Sequence, residues 1–407
     1  MTEKILILGS SAREHALATK LSNDGCEVFV TPGNAGTTAH NITLDPTDKP
    51  AVVEYCLEND IDLVIPGSEQ YICCGLVDML NMHSVEVFAP ELYVSKLESS
   101  KLYAKKLMES CDIPTARFAA FRHYSDALRF VSENDWARVV KADGLTGSKG
   151  VFVCESLEEV QEKLSLIMID KQFGDASDMV LLEERLHGEE VSFTLSVSDN
   201  IVQVWPMVRG YKRRGTGDMG PNTGGMGCIT VNNPELQEKI MMNVVQPLFH
   251  AFEREDITYK GFLFIDLMVC DGKPHVLEFN VRLGDPEATC LLPLVQTNLS
   301  EHLIDHSPIE FGVQSVCSVV LAAESYPESS SVDQEITGLD EVTCYHAGTK
   351  LLGGRYYTNG GRIVTVVAEG CHDKEAVENV YAAVEKVQFE DKYRRTDIGN
   401  ISLNFEI

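Results

Sequence analysis

Short apolar runs alternate with amphipathic segments along the first 95 residues, and this alternation constrains the fold more than any other feature of the chain. Strands that alternate with helices form parallel sheets, which bind ligands in the turns after their strands. Helical patterns cover residues 13–23 and 50–59, and polar or Gly-rich turns lie at residues 9–15 and 32–37. The predicted strands are residues 4–8, 27–30, 63–66 and 85–88. The sequence therefore predicts an N-terminal parallel α/β domain.

The remaining sequence predicts further α/β and α+β units. A helix begins near Ser99 and ends before Pro114, because proline cannot continue it. Strand and helix patterns then indicate a small lid, followed by the main catalytic sheet with a helix over residues 235–253. The tail contains β-rich runs and one helix near residues 374–387. We predict domains at residues 1–98, at 99–311 with a lid at about 117–187, and at 312–407.

Length, charge and cysteine content exclude several classes of protein. A chain of 407 residues with 44% hydrophobic content can fill more than one core. The net charge of -28 argues against a sequence-independent nucleic-acid binder, which needs a surplus of Lys and Arg. The 12 cysteines include no C-x-x-C pair, and no apolar stretch reaches membrane-spanning length. We predict a cytoplasmic protein with small-molecule substrates and with no nucleic-acid or membrane partner; monomer and homodimer both remain open.

Two lysines flank a Gly-rich turn in KADGLTGSKGV, residues 141–151. Lys141 ends a predicted strand, and Lys149 precedes the next one. Backbone N–H groups of such a loop can approach a phosphate while the lysines supply positive charge. The segment is not a Walker loop, because no helix follows and the motif spacing is absent. A phosphate-binding loop and an ordinary β-turn both remain open.

Acidic pairs follow the apolar strand in VLLEERLHGEEVSF, residues 180–193. In a nucleotide pocket, a hinge backbone and Glu183 could read the adenine amino group, while Glu190 could accept hydrogen bonds from ribose hydroxyls. Exposed strand-edge glutamates are the alternative. Downstream, YKRRGTGDMGPNTGGMG packs Lys212, Arg213 and Arg214 among six glycines at residues 211–227. A plain linker would explain the glycines but not the cations, so we predict a mobile anion-binding loop.

Glu278 and Asn280 alternate along a predicted strand and therefore share one face, where two hard oxygen donors suit magnesium. A buried polar pair satisfied by hydrogen bonds is the alternative. We predict a hairpin with a three-residue loop and a bulge at Gly272, which places Asp266 opposite Glu278. Two facing carboxylates repel without a cation, so Asp266 is a predicted metal ligand or metal-orienting group. A two-residue loop would turn Asp266 to the opposite face.

Together these motifs resemble the ATP-grasp superfamily, in which two α+β units clamp ATP. The blocks PGNAGT, GPNTGGMG, EFN-x-R-x-GDPE, HAGTK, NGGR and DIG occur in the order of the phosphoribosylamine-glycine ligase family and span nearly the whole chain. The resemblance implies an α/β and α+β multidomain protein with an ATP-grasp fold. It implies a ligase of purine biosynthesis that uses ATP with Mg²⁺ or Mn²⁺ and joins glycine to 5-phosphoribosylamine through glycyl phosphate.

The resemblance also implies roles for individual residues. It implies that Glu278 and Asn280 bind the metal and that Lys212, Arg282 and Asp285 are catalytic. The implied ATP-binding residues are Lys101, Lys141, Lys149, Glu183, Glu184, Leu186 and Glu190. Phosphoribosylamine would lie near Gly9, Arg13, Glu14, Gly33, Asn34, Gly36 and Glu69. Glycine would lie near Asn222, Thr223, Gly224, Arg282 and Asp285.

The chain departs from the family on the substrate side. The family's loop GNGGREH reads GSSAREH at residues 9–15, GPEAPL reads GSEQYI at residues 67–72, and DHK reads GYK at residues 210–212. These changes motivate one alternative, a diverged ligase with another amine or amino acid substrate. A non-catalytic nucleotide-binding protein is a second alternative, although folding alone would not require the predicted metal and phosphate residues. A Rossmann dehydrogenase is excluded because residues 9–15 lack the G-x-G-x-x-G spacing.

Overall fold

The N-terminal region forms a three-stranded parallel sheet in the computed structural model, which describes residues 2–147 and 149–400. Its strands are β1 (Lys4–Gly9), β2 (Glu27–Pro32) and β3 (Leu63–Pro66), in the order β2-β1-β3. Its helices are α1 (Ala12–Asn23), α2 (Lys49–Glu58), α3 (Glu69–Ile72), α4 (Leu76–Met82) and α5 (Lys96–Ser99). The predicted fourth strand at residues 85–88 is reduced to a bridge between Val87 and Val64, because the chain bends at Phe88 towards Pro90.

The lid is a four-stranded antiparallel sheet that packs against two helices. It follows α6 (Lys101–Ser110) and contains the strands β4 (Phe118–Phe121), β5 (Ala137–Ala142), β6 (Val151–Val153) and β7 (Val180–Glu184). The strand order is β4-β7-β5-β6. The helices are α7 (Tyr124–Glu133) and α8 (Leu157–Met168), with a 3-10 turn at Gly174–Ser177. Val140, Leu164 and Leu182 are buried between these layers, which makes the lid a small core of its own.

The catalytic region adds a longer set of antiparallel strands. They are β8 (Glu189–Ser198), β9 (Ile201–Val204), β10 (Met207–Gly210), β11 (Arg213–Gly215), β12 (Met219–Asn222), β13 (Gly227–Val231), β14 (Gly261–Cys270) and β15 (Lys273–Asn280). Its helices are α9 (Pro234–Ile240), α10 (Gln246–Arg254), α11 (Glu287–Leu291) and α12 (Leu299–Asp305), with a 3-10 turn at Leu292–Leu294. The predicted helix 235–253 is present without a break, and it contains a π-helical segment at Met241–Val245, where Pro247 cannot donate to a preceding carbonyl.

The C-terminal strands continue the catalytic sheet. They are β16 (Ser315–Ala323), β17 (Ser331–Ile336), β18 (Cys344–His346), β19 (Thr349–Leu352), β20 (Arg355–Gly360), β21 (Arg362–Gly370) and β22 (Lys392–Tyr393), with a 3-10 turn at Leu339–Glu341 and helix α13 (Asp373–Val384). The ten-stranded sheet runs β15-β14-β8-β10-β13-β16-β21-β18, with β9 beside β8 and β22 beside β16. Strands from both sides of the predicted boundary at residue 312 therefore share one sheet. Only β17-β20-β19 form a separate C-terminal sheet among the described residues.

Candidate active site

A cavity of about 420 Å³ opens between the lid sheet and the ten-stranded sheet. It collects most of the predicted site residues, namely Glu69, Lys101, Lys141, Glu183, Glu184, Leu186, Glu190, Lys212, Asn222, Thr223, Gly224, Asp266, Glu278, Asn280, Arg282 and Asp285. The other predicted residues lie outside its walls: Lys149, Gly9, Arg13, Glu14, Gly33, Asn34 and Gly36. The fold thus brings the predicted nucleotide, metal and glycine residues into one space.

Three lysines lie around a buried carboxylate at the lid end of the cavity. This lysine cluster consists of Lys101, Lys105, Lys141 and Glu183. Glu183 Oε2 lies 3.0 Å from the Nζ atoms of Lys105 and Lys141, and Lys101 Nζ donates to the Gly144 carbonyl at 2.9 Å. Burial lowers the pKa of Lys101, and it lowers the pKa of Lys105 to about 8 although Glu183 opposes the change. The cluster therefore carries more cations than anions, which suits a phosphate chain.

Only one of the two carboxylate oxygens of Glu183 is available to bind adenine, although the sequence predicts that this residue reads the adenine amino group. One carboxylate oxygen holds two lysines, and the other, Oε1, is buried without a hydrogen-bond partner in the part of the chain that the structure describes. A contact with adenine is thus left to that single oxygen, because the other is held by Lys141 of β5 and by Lys105 of α6.

Lys149 does not join the lysine cluster. Gly147 turns the loop between β5 and β6 through a positive φ of 57°, and the Lys149 side chain is exposed to solvent. The Lys149 backbone N–H donates to the Thr146 carbonyl at 3.2 Å, which closes the turn locally. Of the two lysines predicted to flank one phosphate, the structure places only Lys141 at the cavity.

Asp266 lies opposite Glu278 in the hairpin of β14 and β15, so the predicted pairing is confirmed. The turn and the bulge that produce this pairing differ from the predicted ones. The turn has two residues, Asp271 and Gly272, with positive φ values of 47° and 70°. Such a turn alone would orient Asp266 away from Glu278. A bulge at Leu277 adds one residue to β15 and restores the pairing. The predicted three-residue loop with a bulge at Gly272 is therefore wrong.

Lys212 supplies a cation between these two carboxylates. Its Nζ lies 2.5 Å from Asp266 Oδ2 and 3.5 Å from Glu278 Oε1. Burial raises the pKa of Asp266, and Lys212 opposes that rise. Burial also acts to raise the pKa of Glu278, but Lys212, Lys141 and Lys101 outweigh it and lower this pKa to about 2. The repulsion predicted to require a metal is thus relieved by a protein ammonium group.

Glu278 and Asn280 lie on one face of β15 and line the cavity, where their oxygens fit Mg²⁺ or Mn²⁺. Asn280 Oδ1 accepts a hydrogen bond from Arg282 Nη2 at 3.4 Å, and Asn280 Nδ2 is buried without a partner among the described residues. Within residues 2–147 and 149–400, no group of three or more His, Cys, Asp or Glu side chains is arranged to hold a metal. A metal here would therefore need further oxygens from a bound ligand.

Arg282 joins the catalytic sheet to the N-terminal domain. Its guanidinium lies 2.8 Å from Glu69 Oε2 and 3.0 Å from Glu98 Oε1. Burial raises the pKa of Glu98 to about 7, although Arg282 opposes this. Two carboxylates thus hold the predicted catalytic arginine, and its position depends on the N-terminal domain.

The Gly-rich segment forms a hairpin that residues distant in sequence hold in place, and its predicted mobility stays a prediction. Strands β11 and β12 pair, and the fully buried Arg395 donates to the Arg213 carbonyl at 3.0 Å. Arg214 donates to the Tyr326 carbonyl at 2.6 Å. Lys212 is paired with Asp266, whereas the Arg213 side chain lines the cavity, so anion binding by this segment also stays a prediction.

Arg362 of β21 links the two loops predicted to bind glycine. Its Nη1 donates to the carbonyls of Gly224 and Asp285 at 2.8 and 2.7 Å, and its Nη2 lies 2.8 Å from Asp285 Oδ2. Thr223 Oγ1 donates to the Lys212 carbonyl at 2.8 Å. The Asp285 carboxylate is therefore neutralised by an arginine from the C-terminal strands.

The predicted phosphoribosylamine residues outside the cavity lie at the carboxyl edge of the N-terminal sheet. This N-terminal loop cluster consists of Gly9, Arg13, Glu14, Gly33, Asn34 and Gly36. Glu14 accepts from the Ser11 backbone N–H at 2.7 Å and from Arg13 Nε at 2.6 Å. Gly9 has a φ of 149°, and a Cβ there would lie 2.5 Å from the Glu14 side chain. Arg13 also donates to the Leu283 carbonyl at 3.0 Å, which connects the cluster to the catalytic region.

The second half of this cluster is closed by the C-terminal strands. Asn34 Nδ2 donates to the His346 carbonyl, and Asn34 Oδ1 accepts from the Gly36 N–H, both at 2.8 Å. His15 Nδ1 accepts from the His346 N–H at 2.8 Å. Burial lowers the pKa of His15 to about 3 and that of His346 to about 4, so both rings are neutral near pH 7. Gly33 turns with a φ of 65°.

Several charged residues of the site are absent from the sequence predictions. Glu98, Lys105 and Glu287 line the cavity, and Arg362 contacts the cavity residue Asp285 from outside. Lys105 lies one helical turn after Lys101, a spacing that could have revealed it. Glu287 and Arg362 belong to the GDPE and NGGR motifs, but nothing local distinguishes them from the neighbouring polar residues.

Three family models match consecutive parts of the chain. They describe the N domain, the ATP-grasp (A) domain and the C domain of phosphoribosylglycinamide synthetase, and they match residues 3–98, 99–288 and 316–401. The chain belongs to the phosphoribosylglycinamide synthetase family. This membership confirms the predicted family and the ATP-grasp fold.

Full-length relatives agree with this family. A phosphoribosylamine–glycine ligase from Rhodopirellula baltica is 38% identical over 426 residues, covering 98% of both chains. The crystal structure of phosphoribosylamine–glycine ligase from Thermotoga maritima superposes with a TM-score of 0.85 at 33% identity, covering 97% of this chain and 100% of that chain. A biotin carboxylase domain from Hydrogenobacter thermophilus, solved with MgADP, shares the fold at 14% identity, with a TM-score of 0.74 over 97% of this chain and 92% of its own.

The family assignment makes the chain an ATP-dependent ligase, as predicted. The helices in the described part of the chain include none with the length and apolar character to cross a membrane.

Proposed function

We propose that the protein joins glycine to 5-phosphoribosylamine at the expense of ATP, giving glycinamide ribonucleotide, ADP and phosphate in purine biosynthesis. The observation that carries this proposal is that one cavity unites the lysine cluster, the Glu278 and Asn280 pair and the two loops linked by Arg362. Burying this many charges around open space has no benefit for folding alone. Full-length relatives bear the name of this reaction.

The chemistry explains why the site needs ATP. An oxygen of the glycine carboxylate attacks the γ-phosphorus, ADP leaves, and glycyl phosphate forms. The amine of phosphoribosylamine then attacks the acyl carbon, and phosphate leaves with the former carboxylate oxygen. Phosphorylation converts a poor leaving group into a good one, so the protein mainly positions the reactants and stabilises charge.

The side chains of the cavity can be assigned to these steps. Lys101 and Lys141 would balance the charge of the triphosphate. Glu278 and Asn280 would hold Mg²⁺ or Mn²⁺, which neutralises charge on the transferring phosphoryl group when bound. We assign Asp266 a metal-orienting role, because its Oδ2 is already 2.5 Å from Lys212 Nζ.

The acceptor side and the cellular location complete the proposal. Glu69 lines the cavity and is held by Arg282, so it would face phosphoribosylamine from the N-terminal domain. The N-terminal loop cluster would shape the turns beside it. All 12 cysteines are free thiols in the structure, which supports a cytoplasmic location.

The proposal is tested by ADP release from purified protein with MgATP, glycine and freshly generated phosphoribosylamine. We expect sustained release only when glycine and phosphoribosylamine are both present, because the acyl phosphate needs an acceptor to turn over. Equal turnover with an unrelated primary amine would instead support a diverged ligase. Nucleotide binding without any ADP release would support the non-catalytic alternative.

A further inference from the structure

Glu287 is a buried carboxylate that faces the cavity, and no described side chain of opposite charge pairs with it. It is 4% exposed, begins α11 and lines the cavity wall. Within residues 2–147 and 149–400, its side chain joins no ion pair, and the hydrogen-bond donor beside it is its own backbone N–H. Burying a carboxylate in this way is costly unless a cation or donor meets it, so a bound ligand with positive charge would relieve the cost.

Glycines on two sides leave room for this carboxylate. A Cβ at Gly210 would lie 2.8 Å from Glu287 Oε1, and a Cβ at Gly284 would lie 2.5 Å from Glu287 Oε2. Gly210 ends β10 before the hairpin of β11 and β12, Gly224 follows that hairpin, and Gly284 belongs to the loop of Asp285. The carboxylate therefore lies between the two loops that the sequence assigns to glycine.

The neighbouring aspartates are already neutralised. Asp285 Oδ2 lies 2.8 Å from Arg362 Nη2, and Asp266 Oδ2 lies 2.5 Å from Lys212 Nζ. Of the three carboxylates Asp266, Asp285 and Glu287, Glu287 is the one that has no described side chain of opposite charge at contact distance. An ammonium group in the cavity would find its acceptor there.

We infer that Glu287 binds the ammonium group of the amino acid substrate and thereby selects an amino acid over a carboxylic acid of the same size. This inference rests on the proposed function. The reacting carboxylate and the ammonium of glycine are separated by a single carbon, so the ammonium must bind close to Lys212 and Glu278, and Gly210 places Glu287 on that side. A carboxylate partner also keeps the amine protonated, and a protonated amine has no lone pair to attack glycyl phosphate.

The test compares glycine with glycolate, which replaces the ammonium group by a hydroxyl. In Glu287→Gln, which preserves size, we expect kcat/KM for glycine to fall about 10- to 100-fold, as for loss of a charge-assisted contact. The Ki of glycolate as a competitor of glycine should change less than threefold, and KM for ATP should stay within twofold. Glu287→Asp keeps the charge and should retain part of the preference for glycine.

The outcomes separate this inference from the proposed function. If the unmodified protein releases no ADP with glycine and phosphoribosylamine, both fall. If it is active, an unchanged ratio between KM for glycine and Ki for glycolate in Glu287→Gln overturns the inference alone. If Glu287→Gln does not fold, Glu287→Asp decides: a raised KM for glycine with an unchanged glycolate Ki supports the inference, and parallel losses for both ligands overturn it.

Discussion

The lysine cluster and the N-terminal loop cluster both bury charged groups, but they satisfy them differently. In the lysine cluster, one carboxylate oxygen serves two ammonium groups while the other has no partner among the described residues. In the N-terminal loop cluster, both oxygens of Glu14 and both ends of the Asn34 amide are bonded to protein groups. The excess cations suit an incoming anion and the free carboxylate oxygen suits an incoming donor, whereas saturated groups stabilise turns. Charge removal should therefore impair ATP use in the first cluster and folding in the second.

The largest expected effect is on the stability of the N-terminal loop cluster. Glu14→Gln replaces an acceptor that holds Ser11 and Arg13, which leaves a buried arginine unpaired. We expect the free energy of unfolding to fall by about 3 kcal/mol, in the range for breaking a buried ion pair. Urea unfolding measures this change, with the exposed Glu54→Gln as the matched control. A loss below about 0.5 kcal/mol, like that of a surface substitution, would contradict the structural role.

Lys141→Ala should give the next largest effect, and on activity more than on folding. Lys105 remains beside Glu183 after this change, so the carboxylate keeps one partner. Loss of a charge-assisted contact to phosphate should lower kcat/KM for ATP by about 10- to 100-fold, equivalent to about 1.5–3 kcal/mol. Steady-state kinetics with varied MgATP provides the measurement, and Lys106→Ala, an exposed lysine beside Lys105 on α6, provides the control. Unchanged kinetics would remove Lys141 from the site.

The smallest expected effect concerns the pH dependence of the N-terminal loop cluster. Burial lowers the pKa of His15 from 6.5 to about 3, so the folded protein binds fewer protons there than the unfolded chain. The stability that the neutral His15 ring contributes is therefore complete above its pKa in the unfolded chain. It is lost as pH falls from there towards its pKa in the folded protein. Between about pH 7 and pH 5, the unmodified protein should lose about 1–2 kcal/mol more than His15→Asn, whose amide oxygen can still accept from the His346 N–H. Parallel losses in urea unfolding would show that His15 does not contribute.

Features set by local pattern were predictable from the sequence. The strands of the N-terminal sheet, helix α8 and the lid strands β5, β6 and β7 follow from apolar periodicity and from turn residues, which act over a few positions, whereas β4 was missed. The Glu278 and Asn280 pair was predictable because alternate residues of a strand share a face. The resemblance to a family supplied the other predicted site residues, but not Glu98, Lys105, Glu287 or Arg362.

Features set by distant pairing were not predictable. The bulge at Leu277 depends on how β15 packs, and the continuation of the sheet by β16 depends on pairing with β13. Arg362 reaches Asp285 across 77 positions, so no local pattern could show that this arginine neutralises the aspartate. The choice between Asp285 and Glu287 as the available carboxylate follows only from those contacts.

The central claim is that the glycine carboxylate is activated as an acyl phosphate in this cavity. Glycine labelled with ¹⁸O in its carboxylate tests this claim directly, because the oxygen that attacks the γ-phosphorus leaves with phosphate when the amine attacks. We predict that mass analysis of the released phosphate will find one ¹⁸O atom per turnover in the presence of phosphoribosylamine. Unlabelled phosphate, formed at the same rate as glycinamide ribonucleotide, would contradict the account.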